Sequence, residues 1–404
     1  MTKSEFYQLL EQIAEQNPQM GKEIKEFAVF IQKLKSDQVE GDTLRDYFAH
    51  HPALKEYIRQ LTGKEQTTEQ KPPGKVFPVH KPFSGEIRQR MELAKHDEHY
   101  RNWANTVRAI PEFTLPISEA DGAFIRQAKE IWHQNICGNE EVLQVILRHS
   151  IEYCNTGKTM PILLIGEPGV GKTLVAKNYG KILNLPASFI SAPSASAGRG
   201  LSGSPNVYAG AGAGAIVQSM IDNRTGNPVI CVDEVEKAVP GGVGRSPDFQ
   251  NELLAALDES NEKWFDNYLE IEVDASHIPF IFTANEKDLI SAPLLDRMEV
   301  VRMERPTREM LHNITREFTL PRTLKAYADG RIEFRNHELD MLVDLLWDSG
   351  NRSCRAYQKA VNHLVSGAYL KAIETEQTVR IAGQDVQNTV LMCSQNKRTK
   401  TIGF

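Results

Sequence analysis

Gly166, Gly169, Gly171, Lys172 and Thr173 fall in the run Gly-Glu-Pro-Gly-Val-Gly-Lys-Thr over residues 166–173, a spacing that can hold a polyphosphate. Glycines let the backbone turn its N–H groups toward phosphate oxygens, and the positive end of a following helix adds to that attraction. Lys172 can reach the β- and γ-phosphates, and the Thr173 hydroxyl can bind Mg²⁺. The nucleotide-binding set is therefore Gly166, Glu167, Pro168, Gly169, Val170, Gly171, Lys172, Thr173 and Leu174, joined by Asp233. Asp233 and Glu234 end the apolar run that begins at Pro228. There Asp233 would sit on the Mg²⁺ side of the phosphates, and Glu234 could orient and deprotonate an attacking water. Asn285 ends another apolar run and offers an amide that could position that water. Arg297 is a fixed cation suited to charge developing on a transferred phosphoryl group. Each of these last signals has an ordinary alternative. Exposed strand ends are often acidic, and Arg297 could form a surface ion pair with Asp296 or Glu299.

These residues need particular elements to hold them. Pro161–Ile165 reads as a buried strand and Leu174–Leu183 as a helix, the strand–loop–helix context that a phosphate-binding loop requires. A strand beside that one would carry Asp233 to the phosphates, and His277–Asn285 would supply a third. Alternating strands and helices predict an α/β fold over residues 118–306, a parallel sheet with helices on both faces. A small helical domain is expected over 307–376, and a strand and tail over 377–404. Toward the N-terminus the expectations are a helical region over 1–62, a linker over 63–83 whose polar stretch Gly63–Gly74 ends in the breaker Pro72-Pro73-Gly74, and a helical connector over 84–117.

From about Asn135-Ile-Cys-Gly138 to about Val390 the chain resembles the AAA+ ATPase module of Lon proteases. The resemblance is carried by Asn227-Pro-Val-Ile-Cys-Val-Asp-Glu-Val-Glu-Lys237, Asn251-Glu-Leu-Leu-Ala-Ala-Leu-Asp258, Phe265-Asp-Asn-Tyr-Leu-Glu270 and Pro293-Leu-Leu-Asp-Arg-Met-Glu-Val300. It implies ATP and Mg²⁺ as ligands and a homo-oligomeric ring, a hexamer, as the working unit. It makes Asn285 the sensor-1 residue and Arg297 an arginine finger reaching a neighbouring subunit. Arg352 falls at the sensor-2 position, and Arg355, one turn on, could hold that role instead. Tyr208, in Tyr-Ala-Gly-Ala-Gly-Ala-Gly214, matches the first pore loop that grips a threaded polypeptide, although Ala209 stands where a larger aliphatic residue is usual. A mobile glycine-rich surface loop is the plainer reading of that stretch. Only about 14 residues follow Val390, where a peptidase domain needs roughly 50 or more, so a Lon-like ATPase without its own protease is expected.

Composition agrees with an ordinary globular chain: 404 residues, 41% hydrophobic, 25% charged. A formal charge of −6 argues against a chain built to neutralise phosphate backbones, so nucleic acid is a partner not favoured. The five cysteines show no Cys-x-x-Cys spacing, and neither a disulfide framework nor a zinc site is indicated. No apolar run suggests a membrane span or a signal peptide, which makes a cytoplasmic location the expectation. The function expected is an ATP-driven unfolding or remodelling of polypeptide. Two alternatives are an unfoldase serving a separate peptidase, hinted at by the terminal Ile402-Gly403-Phe404, and a nucleic-acid-associated motor or loader.

Overall fold

The chain divides into two compact units, Met1–Pro73 and Gly74–Phe404, and the computed structural model describes residues 74–95, 98–205, 210–237, 249–327 and 330–398 of the second. The helices expected over 1–62, Tyr208 and the terminal Ile402-Gly403-Phe404 lie outside the described residues.

Continuous apolar runs form strands whose two faces are both covered. The strands are β1 (Ile162–Ile165), β2 (Ala187–Ser191), β3 (Val229–Asp233), β4 (Trp264–Asp266), β5 (Ile271–Val273), β6 (Phe280–Ala284) and β7 (Glu299–Arg302). Five of them make a parallel sheet in the order β2-β3-β6-β1-β7. Alternation along the strands splits the core. Leu163, Ile230, Val232, Phe280 and Phe282 pack on one face, and Ile162, Leu164, Cys231 and Ile281 on the other. This is the α/β sheet expected over 118–306.

The order corrects one expectation: β3 does not adjoin β1, because β6 lies between them. Every residue of Phe280–Ala284 is buried, which suits the central place, where both faces and both edges are covered. Ile165 pairs with Ala284 and Val232 with Phe282, so the carboxyl ends of β1, β6 and β3 finish side by side. Chain leaving those three ends carries the P-loop, Asn285 and Glu234.

Toward the N-terminus the structure departs from a linker followed by one helical connector. Two helices form, Gly85–Leu93 and Glu98–Ala109, and the chain beyond them is extended. Residues 74–83 are built into the domain. Val79 is fully buried, its N–H donates to the Glu112 carbonyl, and Phe77 stacks on His277 at 3.9 Å. Trp103 pins the second helix: its ring is 1% exposed, its Nε1 donates to the Leu269 carbonyl at 3.2 Å, and the Arg90 guanidinium lies 4.9 Å from its centroid.

The small domain is a bundle led by Asn336–Asp348 and Cys354–Thr375, with a two-stranded parallel pair, β8 (Ile332–Glu333) and β9 (Val379–Arg380). Where a strand and tail are expected over 377–404, β9 forms and is followed by a helix, Gly383–Arg398. Val386 and Val390 recur every fourth residue and enter the core of this domain, which is why the segment is helical.

Trp103→Ala should lower unfolding stability by roughly 3–5 kcal/mol, read as a shifted urea midpoint. A loss under about 1 kcal/mol would mean that the connector helices unfold independently of the sheet.

Candidate active site

The P-loop leaves β1 at Gly166, whose N–H donates to the Ala284 carbonyl of β6. Gly169 and Gly171 have φ of +86° and +107°, a region that side-chain-bearing residues rarely enter. Gly169 is doubly constrained, since a Cβ there would lie 2.0 Å from Ser353 Oγ. The Cys354 N–H donates to the Gly169 carbonyl at 3.1 Å, so the first residue of a small-domain helix is docked on the loop. Gly171 precedes the helix Lys172–Leu183, placing Lys172, Thr173 and Leu174 in its first turn.

Lys172 is 8% exposed, and all three of its donors are used. Nζ donates to the carbonyls of Gly166 at 2.5 Å and Glu167 at 3.1 Å, and to Asn285 Oδ1 at 3.0 Å. Burial lowers its pKa, and the Arg355 charge works in the same direction; Glu236, Asp233 and Glu234 oppose them. The loop thus holds a desolvated cation surrounded by acceptors, as polyphosphate binding needs.

Asp233 accepts a hydrogen bond from Thr283 Oγ1, and that hydroxyl in turn accepts the Glu234 N–H at 3.2 Å. Thr283, on β6, thus ties the end of β3 to the central strand. Glu234 follows with φ of +57°, strained for a glutamate, the kind of backbone that clusters at working sites. Its carboxylate accepts from Lys237 Nζ at 2.6 Å. Both side chains are largely exposed, so this pair exchanges easily for another partner.

Sequence reasoning missed Glu236, a buried acid whose Oε1 accepts from the Asn285 backbone N–H at 3.1 Å and from Nδ2 at 2.8 Å. Thr283 was missed as well. Its signal was a polar residue inside the otherwise apolar Phe280–Ala284. Glu236 gave a weaker one, a third acid within Asp-Glu-Val-Glu.

Neither Arg297 nor Arg352 has a hydrogen-bond partner in the P-loop among the described residues. Arg297 donates to Asp258 at 3.3 Å and to the Pro293 carbonyl at 3.1 Å, and none of these partners belongs to the P-loop. The anticipated alternative partners are also not used, since Glu299 is held by Arg148 and His149. Arg352 lies 3.5 Å over the Trp347 ring and donates to the Trp347 and Asn351 carbonyls. Trp347 captures it because a planar guanidinium stacks on indole. Arg355 is the one beside the loop, its Cβ 3.6 Å from where a Gly169 side chain would begin.

Between the two domains lies a cavity of about 140 Å³ with an apolar lining that includes Ile136, Val170, Leu174, Met310 and Ile314. It opens beside Gly171, where a flat base attached to a bound polyphosphate would fit. A larger cavity of about 580 Å³, along residues 78–84 and β5, contains none of these groups. A hydroxyl at Thr173 and a carboxylate at Asp233 are the hard oxygen donors that Mg²⁺ prefers. No cluster of three or more His, Cys, Asp or Glu suited to a metal occurs among the described residues. No helix among them is long and apolar enough to cross a membrane.

A P-loop, acids at the neighbouring strand ends and a helical domain closing on the loop define a nucleoside-triphosphate hydrolase. Residues 162–305 match the model of the ATPase family associated with various cellular activities (AAA), and the chain is an ATPase carrying that domain. It is similar to the Lon protease of Clostridium acetobutylicum, 32% identical over 240 residues, covering 58% of this chain and 30% of the relative. Lon protease 2 of Sorangium cellulosum is 31% identical over 271 residues, covering 66% and 33%. The mitochondrial Lon protease homolog of Candida glabrata is 27% identical over 331 residues, covering 79% and 31%. The chain spans about a third of the length of these relatives.

Lys172→Ala should lose nucleotide binding in a fluorescent-ATP titration. Glu234→Gln should still bind but turn over at least about a hundredfold more slowly, since only the proton acceptor is removed. Turnover of Glu234→Gln at the unaltered rate would remove Glu234 from that role.

Proposed function

We propose that this ATPase works as a homo-oligomeric ring, a hexamer, and converts ATP hydrolysis into the unfolding or remodelling of a polypeptide. The observation that carries this reading is its similarity to Lon proteases over 58–79% of the chain, since proteins of that name act on polypeptide. The described residues make up an ATPase and its helical domain, and we assign the 404 residues the mechanical step alone.

In this reading the groups around the P-loop divide the work. Lys172 exchanges its carbonyl partners for phosphate oxygens. Thr173 and Asp233 hold Mg²⁺, which when bound neutralises phosphate charge. Glu234 releases Lys237 and accepts a proton from the attacking water, while Asn285 orients that water. Arg355 contributes the small domain's cation, the role that resemblance placed at Arg352 with Arg355 as the alternative. Arg297, held among the described residues by an exposed ion pair and one carbonyl, serves a neighbouring subunit's site. Tyr208 contacts the moving polypeptide.

Unfolded casein should stimulate ATP hydrolysis without being cleaved, and Tyr208→Ala should reduce the stimulation while sparing basal turnover. Stimulation by DNA or RNA that falls steeply with salt, with no response to polypeptide, would replace this reading with a nucleic-acid motor. Capture of a separate peptidase by Glu234→Gln protein held in ATP would extend it to a two-component protease.

A further inference from the structure

We propose that Glu236 is a positioning residue for ATP hydrolysis, fixing the Asn285 side-chain amide with its oxygen toward the P-loop. The proposal rests on the reading of Asn285 as the residue that orients the attacking water.

Glu236 lies in the short turn Val235–Lys237 that follows β3 and is 5% exposed. Its Oε1 receives both the backbone N–H and the side-chain Nδ2 of Asn285, at 3.1 and 2.8 Å. A carboxylate offers no proton, so the end of the amide that faces it has to be the NH₂. From the other side Lys172 Nζ approaches Oδ1 at 3.0 Å, and an ammonium can only donate. Two independent neighbours therefore impose the same orientation on a group whose two ends are nearly equal in size.

The orientation matters to the chemistry. An amide oxygen accepts a hydrogen from water and repels phosphate oxygens. An amide turned the other way would donate to phosphate, adding ground-state binding without ordering the water. Lys172 cannot secure the orientation by itself once its donors are drawn to phosphate. Glu236 makes no contact that such an exchange would break, so it is the neighbour that can hold Asn285 throughout. The second oxygen of Glu236, Oε2, is buried without a hydrogen-bond partner among the described residues. A buried acceptor left unpaired costs roughly 1–3 kcal/mol, a cost set against the two hydrogen bonds that Oε1 accepts from Asn285.

The test compares ATPase kinetics of the full chain with Asn285→Ala, Glu236→Ala and the double variant, with fluorescent-ATP affinity measured alongside. Glu236→Ala should lower kcat about tenfold or more with affinity changed by less than about threefold. In the Asn285→Ala background the same substitution should lower kcat no further, because its effect passes through Asn285. Equal losses in both backgrounds would overturn the proposal. An Asn285→Ala protein with full kcat would instead bring down the water-orienting reading beneath it. A second pair covers the case in which Glu236→Ala does not fold. Asn285→Asp sets one carboxylate against another and should be nearly inactive. Adding Glu236→Gln supplies an NH₂ to the new carboxylate and should restore kcat by at least about fivefold. Absence of that rescue in folded protein would also overturn the proposal.

Discussion

Lys172 carries a positive charge into a space with little access to water, and every neighbouring element has to supply an acceptor or a countercharge. Two acceptors are P-loop carbonyls and the third is the Asn285 amide at the end of β6. Asp233, Glu234 and Glu236, all following β3, provide the opposing charge. Removing a buried partner from such a cation would leave it uncompensated, which costs far more than an exposed pair is worth. The requirement ties the P-loop to two strands at once. It also makes the loop responsive, because a polyphosphate offers the same ammonium better acceptors than neutral carbonyls do.

The sheet order follows the same logic. With β6 between β1 and β3, one strand end faces both the loop and the acids. Thr283 serves the β3 side by bonding Asp233 and the Glu234 backbone, and Asn285, two residues on, serves Lys172 and Glu236. The small domain completes the arrangement through Ser353, Cys354 and Arg355 against Gly169. A glycine at 169 is demanded twice, by its φ and by the hydroxyl that would occupy its side-chain position. The helical domain is thereby docked directly on the P-loop.

Much of this was legible in the sequence, for identifiable reasons. β1 and β3 are apolar runs that stop at Gly166 and at Asp233-Glu234, and β6, apolar but for Thr283, stops at Asn285, so the strand ends and their polar groups could be read together. What escaped depends on contacts between segments distant in the chain. Nothing local places β6 between β1 and β3, or tells that Glu236 turns inward to Asn285 while Glu234 remains exposed. Arg352 and Arg355 are three residues apart, and nothing local tells that Trp347 stacks on the first while the second lies in the first turn of the helix beside Gly169. The segment 74–83 looks like a linker because it is rich in Pro and Lys, yet Val79 is fully buried in the core. The final helix was overlooked because its apolar stripe is only Val386, Val390 and Cys393 wide.

The account turns on the exchange of Lys172 from protein acceptors to phosphate, and a crystal structure of the Glu234→Gln chain with ATP and Mg²⁺ tests it most directly. Lys172 Nζ should be found on phosphate oxygens, with its bonds to the Gly166 and Glu167 carbonyls broken and Asn285 still held by Glu236. An ammonium that remains on those carbonyls while ATP fills the loop would contradict the account.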